Sequence, residues 1–365
     1  MKIMFVTEGW VKGGTERVIS NLAYYLVEKN DVSILSFSGD KTYSIDERVK
    51  LYSNVDTTDF LTEKNKFKKA FFFLRRVKRF IKYKKEIKPD IIVSFLSMPN
   101  YVVLLSNIFV KSKIIITERN DPHVFYSSFR TKFLMNWLYP KTDGFVFQTE
   151  KAKQYFKKKI QDKGIVIANP INEKFIGKVY EGERNNTIVT AGRLENQKNH
   201  KLLINAFARI VDKYPDYKLI IYGEGSLKEE LTNLIKNLNL EDKVLLPGVV
   251  SDIEDKIIDA RMFVLSSEWE GLPNALMEAM ALGLPCISTN CPCGGPEFLI
   301  QNDENGILIE CNNDKELEQA MLKIIENKEY AIKIGKNASK IAEKLNPSKI
   351  NNEWEQYIEK ILNNT

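Results

Sequence analysis

The sequence predicts an α/β protein made of two consecutive domains, each built on a doubly wound parallel sheet. Short apolar, β-branched runs alternate with longer helix-like segments along the chain, which is typical of β-α-β units. The alternation stops once, in a polar stretch at residues 169–186, and then begins again. At 365 residues the chain also exceeds what one hydrophobic core usually holds, so two domains are expected.

The first domain is predicted to span residues 1–172. Its expected strands are the apolar runs at 2–7, 31–37, 90–96, 113–118 and 144–149. Gly13 and Gly14 follow the first strand and open an amphipathic helix that is expected to reach Leu26. Glycines there let an anionic ligand approach free backbone N–H groups, although a plain tight turn would use the same residues. The pair does not form the G-x-G-x-x-G fingerprint of dinucleotide-binding proteins.

The second domain is predicted to span residues 173–345, and a C-terminal helix at 346–365 is expected to pack back on the first domain. Its expected strands are the runs at 187–193, 217–223, 243–248, 262–267 and 286–290. Ligands of open parallel sheets bind outside the carboxyl ends of the strands. The residues that directly follow strands are therefore the candidates for function.

Arg193 and Lys198 follow the first strand of the second domain and precede a helix. Two cations ahead of a helix N-terminus make a site for a diphosphate. Because the chain contains 54 bases, a solvated surface pair is the alternative interpretation. Gly225 follows the next strand in YGEGSLKEEL, where a simple turn between strand and helix is again the alternative.

The segment EWEGLPNALMEAMALGLP places Glu270 in a loop after a strand and Glu278 inside an apolar helix, with Pro273 expected in the first helical turn. A carboxylate in an apolar helix is unfavourable unless a partner compensates it. If all eight steps were helical, the two glutamates would lie about 12 Å apart. That separation exceeds the ~5–9.5 Å of glycosidase carboxylate pairs. The pattern favours two anchors for one extended ligand at a helix N-terminus.

Taken together, these segments resemble the retaining glycosyltransferases of the GT-B fold, family 4. The family's E-x7-E signature corresponds to Glu270 and Glu278, and GGTER, GRLENQKN, YGEGSLKEEL and GGPEF appear in the family's order over essentially the whole chain. The resemblance implies two Rossmann-like domains that face each other across a cleft. It also implies transfer of a sugar from a nucleoside diphosphate with retained anomeric configuration and without a metal or other cofactor.

The resemblance also implies roles for individual residues. Arg193 and Lys198 match the bases that neutralise the diphosphate leaving group. Glu270 matches the residue that binds the donor sugar's hydroxyls, with the backbone N–H groups of Gly271 and Leu272. Glu278 matches the ligand of the nucleotide ribose. Further donor contacts are implied at the phosphates and at the base, by Gly13, Gly14, Gly225 and Val250.

The chain departs from the family in its first domain. Many members carry a histidine after the fourth strand, but here Glu118 and Arg119 stand at that place and His123 follows. These three residues are candidates for the acceptor or donor-sugar side. The segments TERNDP and TNCPCGGPEFL look most like those of bacterial capsule, exopolysaccharide and O-antigen transferases. They imply a UDP-hexose or UDP-N-acetylhexosamine donor and a glycan acceptor on polyprenyl diphosphate.

The positive charge is concentrated in one segment. Residues 61–90 contain twelve bases and three acids, whereas the whole chain has a net charge of +6. A helix over 64–85 that combines these bases with Phe71, Phe72, Phe73 and Phe80 suits an anionic membrane surface. The alternative is a solvated helix whose aromatic residues pack on the core. Nucleic-acid binding is disfavoured because no reader motif accompanies the charge.

Other classes are excluded or kept as alternatives. No run of about 18–20 apolar residues and no signal peptide is present, so a cytoplasmic protein, peripheral on the inner face of the membrane, is expected. Cys291 and Cys293 form a C-x-C, but with only two histidines a structural zinc is disfavoured. The remaining alternatives are a UDP-sugar 2-epimerase of the same fold and an inactive nucleotide-sugar-binding subunit.

Overall fold

The chain divides into two compact units in a computed structural model, which describes residues 1–10, 13–38, 45–53 and 65–363, the side chain of Lys66 excepted. The first unit comprises residues 1–170 and 347–365, and the second comprises residues 171–346. The predicted limits, 1–172 and 173–345, lie close to these. Each unit contains a parallel sheet flanked by helices, so the predicted fold class is confirmed.

The sheet of the first unit has seven parallel strands in the order β3-β2-β1-β4-β5-β6-β7. The strands are β1 Lys2–Thr7, β2 Asp31–Ser36, β3 Lys50–Ser53, β4 Ile91–Phe95, β5 Lys113–Thr117, β6 Gly144–Phe147 and β7 Gly164–Val166. The α-helices described in this unit are Gly14–Leu26, Lys66–Ile87, Ser97–Ser106, Pro122–Phe125, Phe129–Leu138, Glu150–Gln154, Lys158–Gln161 and Pro347–Asn363. Strand order reverses beside β1, as in doubly wound folds.

The second unit has a six-stranded parallel sheet in the order β10-β9-β8-β11-β12-β13. Its strands are β8 Thr187–Ala191, β9 Lys218–Tyr222, β10 Val244–Gly248, β11 Met262–Leu265, β12 Cys286–Thr289 and β13 Ile307–Ile309. Its α-helices are His200–Ile210, Lys228–Asn237, Ile253–Ile257, Asn274–Ala281, Gly295–Leu299, Asp314–Glu326, Lys328–Ser339 and Ile341–Lys344.

Three strands, β3, β7 and β13, were not predicted from the sequence, and each of them lies at the edge of a sheet. Central strands such as β4 are buried on both faces and therefore consist of continuous apolar residues. The edge strands β3 and β7 are three or four residues long and half-exposed, so they lack that run. The third missed strand, β13, is buried but only three residues long, and the longer edge strand β10 was predicted although it is partly exposed.

The basic helix Lys66–Ile87 does not present its aromatic residues on a single face. Phe71 is 63% exposed, whereas Phe80 is fully buried and its ring lies 6.3 Å from that of Phe37. The predicted common stripe of Phe71, Phe72, Phe73 and Phe80 is therefore wrong. With 3.6 residues per turn, positions 73, 77 and 80 face the core while 67, 71 and 74 point away from it.

Two of the bases in this helix are buried rather than displayed. Arg76 pairs with Glu8 at 2.8 Å, and the Lys84 ammonium donates to Asn107 Oδ1 at 2.7 Å. Burial lowers the pKa of Lys84 to about 8. The charge available at the surface is therefore smaller than the sequence count suggests. Lys64, the first residue of the predicted membrane-binding segment, lies outside the described residues.

The C-terminal helix Pro347–Asn363 is an integral part of the first unit. Trp354 is buried and stacks on Phe95, with ring centroids 6.0 Å apart and planes inclined by 26°. The Tyr357 hydroxyl accepts from the Phe145 N–H at 3.0 Å and donates to the Lys163 carbonyl at 2.6 Å. The helix therefore ties the last residues of the chain to β6. No helix among the described residues is long and apolar enough to cross a bilayer.

We expect Trp354→Ala to lower the free energy of unfolding by about 3–5 kcal/mol, because it empties a packed aromatic site. Gln356→Ala, an exposed position on the same helix, is the matched control and should change it by less than about 0.5 kcal/mol. Urea unfolding followed by circular dichroism measures both. Equal stability of the two variants would contradict a structural role for this helix.

Candidate functional site

The carboxyl ends of β8 and β11 carry an ion pair between two of the predicted site residues. These strands are neighbours in the sheet, so the loops that follow them meet. The Lys198 ammonium lies 2.5 Å from Glu270 Oε1, and the two side chains are 15% and 8% exposed. The fold thus joins two residues that are separated by more than seventy positions in the sequence.

The carboxylate of Glu270 has further partners. Ser267 Oγ donates to Oε1 at 2.7 Å, and Gln197 Nε2 approaches Oε2 at 3.5 Å. Gln197 also donates to the Trp269 carbonyl at 2.9 Å. A buried carboxylate is tolerated when a cation and hydrogen-bond donors surround it, and this one has both. Neither Ser267 nor Gln197 was predicted from the sequence. Gln197 lies in the loop selected after β8, whereas Ser267 was assigned to the strand at 262–267, which ends at Leu265.

Backbone hydrogen bonds hold the two loops together. The Glu268 N–H donates to the Gln197 carbonyl at 2.9 Å, and Ser266 Oγ donates to the Lys198 carbonyl at 2.9 Å. Asn199 adopts a left-handed conformation, with φ of 43°, and its side chain caps the helix His200–Ile210. Lys198 is consequently fixed immediately before a helix N-terminus, where anions bind favourably.

Arg193 differs from Lys198 in being exposed. Its Nη2 donates to Gln197 Oε1 at 3.0 Å, and Gln197 in turn contacts Trp269 and Glu270 in the loop after β11. The carbonyl of Arg193 lies 3.2 Å from His200 Nε2. Because His200 Nδ1 is buried without a hydrogen-bond partner, a second proton on the ring would be unsolvated. Burial lowers the pKa of His200 to about 4.

The glycines after β9 are required by close backbone packing. A Cβ on Gly223, whose φ is 150°, would lie 1.9 Å from the Gly192 carbonyl oxygen, and one on Gly225 would lie 2.4 Å from that of Leu194. The loops after β8 and β9 are thereby held side by side. Val250 is half-buried in the loop after β10. The turn interpretation accounts for Gly225 without a ligand, and its predicted contact with a nucleotide base stays a prediction.

The helix that carries Glu278 is shorter than expected. It spans Asn274–Ala281, and Pro273 stands immediately before it, so the placement of Pro273 in the first turn is wrong by one residue. Only part of the interval from Glu270 is helical, and the separation of about 12 Å therefore does not apply. Glu278 is half-buried, between the buried residues Met277 and Ala279.

The loop between Glu270 and this helix is packed tightly against a neighbouring turn. Gly271 and Leu272 are both buried. A Cβ on Gly295, the first residue of the helix Gly295–Leu299, would lie 1.7 Å from the Gly271 carbonyl oxygen. Gly295, the second glycine of the GGPEF segment, is therefore needed for the loop that carries Glu270 to take its position.

Glu118, a candidate in the first unit, points into that unit's interior. Its Oε1 accepts from the hydroxyls of Tyr126, at 2.5 Å, and Tyr139 and from Asn100 Nδ2 at 3.1 Å. Burial raises the pKa of Glu118, while these hydrogen bonds oppose the increase. The carboxyl group thus has a structural role in organising the loop after β5. Its predicted contact with a sugar stays a prediction.

Arg119 is also buried, and its guanidinium lies 4.9 Å from the Phe95 ring and donates to Asn169 Oδ1 at 2.6 Å. Burial lowers its pKa to about 9. His123 is about half exposed, with Nδ1 2.9 Å from Asp121 Oδ1. Gly13 and Gly14 form the N-cap and the first residue of the helix Gly14–Leu26, as expected from the sequence.

Metal-ligating side chains do not cluster in the part of the chain that the structure describes: no group of three or more His, Cys, Asp or Glu residues could hold an ion there. The four cysteines are free thiols. Cys291 and Cys311 both approach the Ser267 carbonyl, at 3.3 and 3.9 Å. Both thiols therefore lie close to the loop that carries Glu270.

Comparison with known proteins identifies two family models that together match residues 12–341. A family model described as Glycosyltransferase Family 4 matches residues 12–175, and one described as Glycosyl transferases group 1 matches residues 172–341. The chain is 32% identical over 333 residues to the N-acetylgalactosamine-N,N'-diacetylbacillosaminyl-diphospho-undecaprenol 4-alpha-N-acetylgalactosaminyltransferase of Campylobacter jejuni. The alignment covers 86% of this chain and 87% of that protein.

Two further matches extend over almost the full length. The GalNAc-alpha-(1->4)-GalNAc-alpha-(1->3)-diNAcBac-PP-undecaprenol alpha-1,4-N-acetyl-D-galactosaminyltransferase of Campylobacter jejuni is 28% identical, covering 100% of this chain and 99% of that one. Among solved structures, Anabaena HepE in complex with UDP superimposes with a TM-score of 0.80 at 19% identity. That match covers 99% of this chain and 100% of HepE, and it shows a shared fold.

His200 makes the stability of the second unit depend on pH. Its folded-state pKa of about 4 lies below the ordinary value of 6.5, so the unfolded chain binds the extra proton first as the pH falls. We expect this histidine to stabilise the fold fully above about pH 6.5 and to lose about 2 kcal/mol between about pH 7.5 and about pH 5. His200→Gln should remove that part of the pH dependence in urea unfolding. If the free energy of unfolding of His200→Gln changed between these two pH values by as much as that of the wild type, His200 would not be the source of the pH dependence.

Proposed function

The chain belongs to the family 4 glycosyltransferases and is a glycosyltransferase of the GT-B fold, and from this premise we propose its reaction. It transfers a hexose or N-acetylhexosamine from a nucleoside diphosphate, UDP, to a glycan carried on polyprenyl diphosphate. The anomeric configuration is retained and no metal takes part. The observation that carries the proposal is the ion pair of Lys198 and Glu270 at the joined ends of β8 and β11.

The pair supports a division of roles in the transfer step. As the bond from the sugar to the diphosphate breaks, negative charge develops on the leaving oxygen. Lys198, before a helix N-terminus, and the exposed Arg193 on the same loop stabilise this charge. A bound diphosphate competes with Glu270 for Lys198, which frees the carboxylate to accept hydrogen bonds from sugar hydroxyls. Lys198 and Glu270 are already held in place by the loops before the donor binds, so little reorganisation of these side chains accompanies the transfer step.

The remaining donor contacts follow the E-x7-E pattern. Glu278 binds the ribose hydroxyls from the helix Asn274–Ala281, and the backbone N–H groups of Gly271 and Leu272 bind the sugar. The proposed contacts of the phosphates and the base are Gly13, Gly14, Gly225 and Val250. The residues proposed to contact the acceptor or the donor sugar are Glu118, Arg119 and His123.

The names of the relatives support the proposed substrates. Both Campylobacter jejuni proteins are named as N-acetylgalactosaminyltransferases that act on undecaprenol-linked diphosphate substrates, and HepE is described in complex with UDP. By analogy, a lipid-linked acceptor in bacterial surface glycan synthesis is proposed here. An epimerase is disfavoured because these relatives, including one that is 32% identical, are named as transferases.

A lipid-linked acceptor places the reaction at a membrane, and we propose that the protein is cytoplasmic and peripheral on the inner face. The helix Lys66–Ile87 supports this: Phe71 and Leu74 are 63% and 64% exposed and line a shallow groove with the bases Arg75, Lys78, Arg79 and Lys82. Exposed apolar side chains among cations suit an anionic lipid surface.

Thermal unfolding with a panel of UDP-, GDP- and ADP-sugars tests the donor. A UDP-sugar at about 100 times its dissociation constant should stabilise the protein by about 2.7 kcal/mol, equally with and without a chelator. With that donor and a polyprenyl-diphosphate-linked glycan, UDP release should require the acceptor. Formation of an isomeric UDP-sugar in the absence of acceptor would instead indicate an epimerase.

The two glutamates should be separable by mutation. We expect Glu278→Ala to weaken binding of UDP itself, because it removes the ribose contact. Glu270→Gln keeps the size of the side chain and its contact with Ser267, so UDP should still bind while kcat falls by roughly 100-fold or more. Calorimetry with UDP and steady-state kinetics with the full donor measure the two effects. Equal losses of UDP affinity in both variants would contradict this division.

A further inference from the structure

The helix Phe129–Leu138 exposes an aromatic stripe that the proposed reaction does not use. Phe129, Phe133 and Trp137 are 84%, 62% and 47% exposed and lie four residues apart, which aligns them on one helix face. The opposite face packs into the core through Met135 and Leu138. Isolated exposed apolar residues are ordinary, but a contiguous row of large aromatic side chains marks an interaction surface.

Two residues of the stripe contact each other, and two more exposed apolar residues precede the helix. The rings of Phe129 and Phe133 are stacked with centroids 6.4 Å apart, so they form one surface. Val124 and Phe125, in the preceding helix Pro122–Phe125, are 40% and 45% exposed. We call the three residues Phe129, Phe133 and Trp137 the aromatic stripe.

Cations surround this surface. Lys132 and Lys157 line a shallow depression together with Phe129, Phe133 and Trp137. The Lys141 ammonium lies 3.8 Å from the centre of the Trp137 ring, and Arg130 is exposed on the same helix. Neither Asp nor Glu occurs within residues 122–141. The chemistry is therefore aromatic at the centre and positive at the rim.

The basic helix Lys66–Ile87 lies on the same side of the sheet. Both it and the helix Phe129–Leu138 pack against the helix Ser97–Ser106, which lies between them. The C-terminus of each outer helix leads directly towards the start of the next strand, so the N-terminal halves of both point towards the carboxyl edge. The exposed Phe67, Phe71 and Leu74 of the basic helix are in such a half.

We propose that the aromatic stripe docks into the headgroup region of an anionic lipid bilayer, as a second attachment site beside the basic helix. Aromatic side chains surrounded by lysines suit that region. The aromatic rings enter the boundary between headgroups and acyl chains, and the ammonium groups reach the lipid phosphates. The inference rests on the proposed lipid-linked acceptor, which brings the protein to a membrane. Pairing of two copies through this face would instead bring their like-charged rims together.

The two sites contribute differently to membrane binding. Attraction between the basic helix and anionic lipid is electrostatic, and it weakens as the screening length falls from about 10 Å at 0.1 M salt to about 3 Å at 1 M. Insertion of aromatic side chains buries apolar area, and this contribution to membrane binding persists at high salt. A single weak signal binds membranes reversibly, whereas two together hold a protein at the surface.

Trp137 reports directly on docking. Trp10 and Trp354 are buried and Trp269 is half-buried in the second unit, so Trp137 is the most exposed of the four tryptophans. Vesicles of phosphatidylglycerol and phosphatidylethanolamine should shift the emission to shorter wavelength and protect it from iodide quenching. The same vesicles should produce neither change in Trp137→Phe, which retains an aromatic side chain. An unchanged wild-type spectrum with protein co-sedimenting on these vesicles would overturn the proposal.

Variants separate the two sites. Phe129→Ser combined with Phe133→Ser should reduce co-sedimentation at high salt by about tenfold or more, while Lys78→Glu with Lys82→Glu should reduce it mainly at low salt. Ile332→Ser, at a position in the second unit that is 60% exposed, is the matched control and should bind as wild type. Unchanged high-salt binding of the double serine variant would overturn the proposal.

Two further measurements keep the outcomes distinct. Light scattering of the wild type and the double serine variant should give the same mass, and a mass that halves in the variant would assign the stripe to self-association and overturn membrane docking. Transfer to a water-soluble acceptor analogue should be unchanged in that variant. If the wild type transferred no sugar at all, the proposed reaction would be contradicted. The vesicle experiments would still test the docking surface independently.

Discussion

The buried ion pair between Lys198 and Glu270 is the constraint on which the second unit's candidate site depends. A carboxylate and an ammonium can remain out of water only when each neutralises the other and hydrogen bonds satisfy the rest. Ser267 and Gln197 supply those bonds and also connect the loops after β8 and β11. The ion pair, together with these hydrogen bonds, therefore links the two loops, and Gln197 extends the network to Arg193.

Close backbone contacts maintain the geometry around this pair. Gly223 and Gly225 let the loop after β9 lie against the loop after β8, and Gly295 lets a turn contact the loop that carries Glu270. Side chains at these positions would push the loops apart. The glycines in the family's motifs accordingly have a structural explanation that does not depend on a bound ligand. Preorganised loops of this kind suit a reaction in which charge develops on a leaving diphosphate.

The first unit distributes its charged residues differently. Glu118, Arg119 and Arg76, which the sequence places among loops and a basic helix, are buried and bonded within the unit. Its surface instead carries aromatic side chains among lysines, in the helices Lys66–Ile87 and Phe129–Leu138. In this unit the buried polar groups are bonded to one another, and the exposed apolar groups form the surface that we propose to contact the bilayer.

The sequence by itself determined the fold class, ten of the thirteen described strands, the order of the motifs and the loops that hold the candidate site. It could do so because strands covered on both faces require continuous apolar runs, and ligands of parallel sheets lie beyond their carboxyl ends. Tertiary structure alone decided the three short edge strands β3, β7 and β13, the meeting of Lys198 with Glu270, the inward direction of Glu118 and the outward direction of Phe71 and Phe133. These features depend on which strands become neighbours and which helix face meets the core, and both result from packing between residues far apart in the chain.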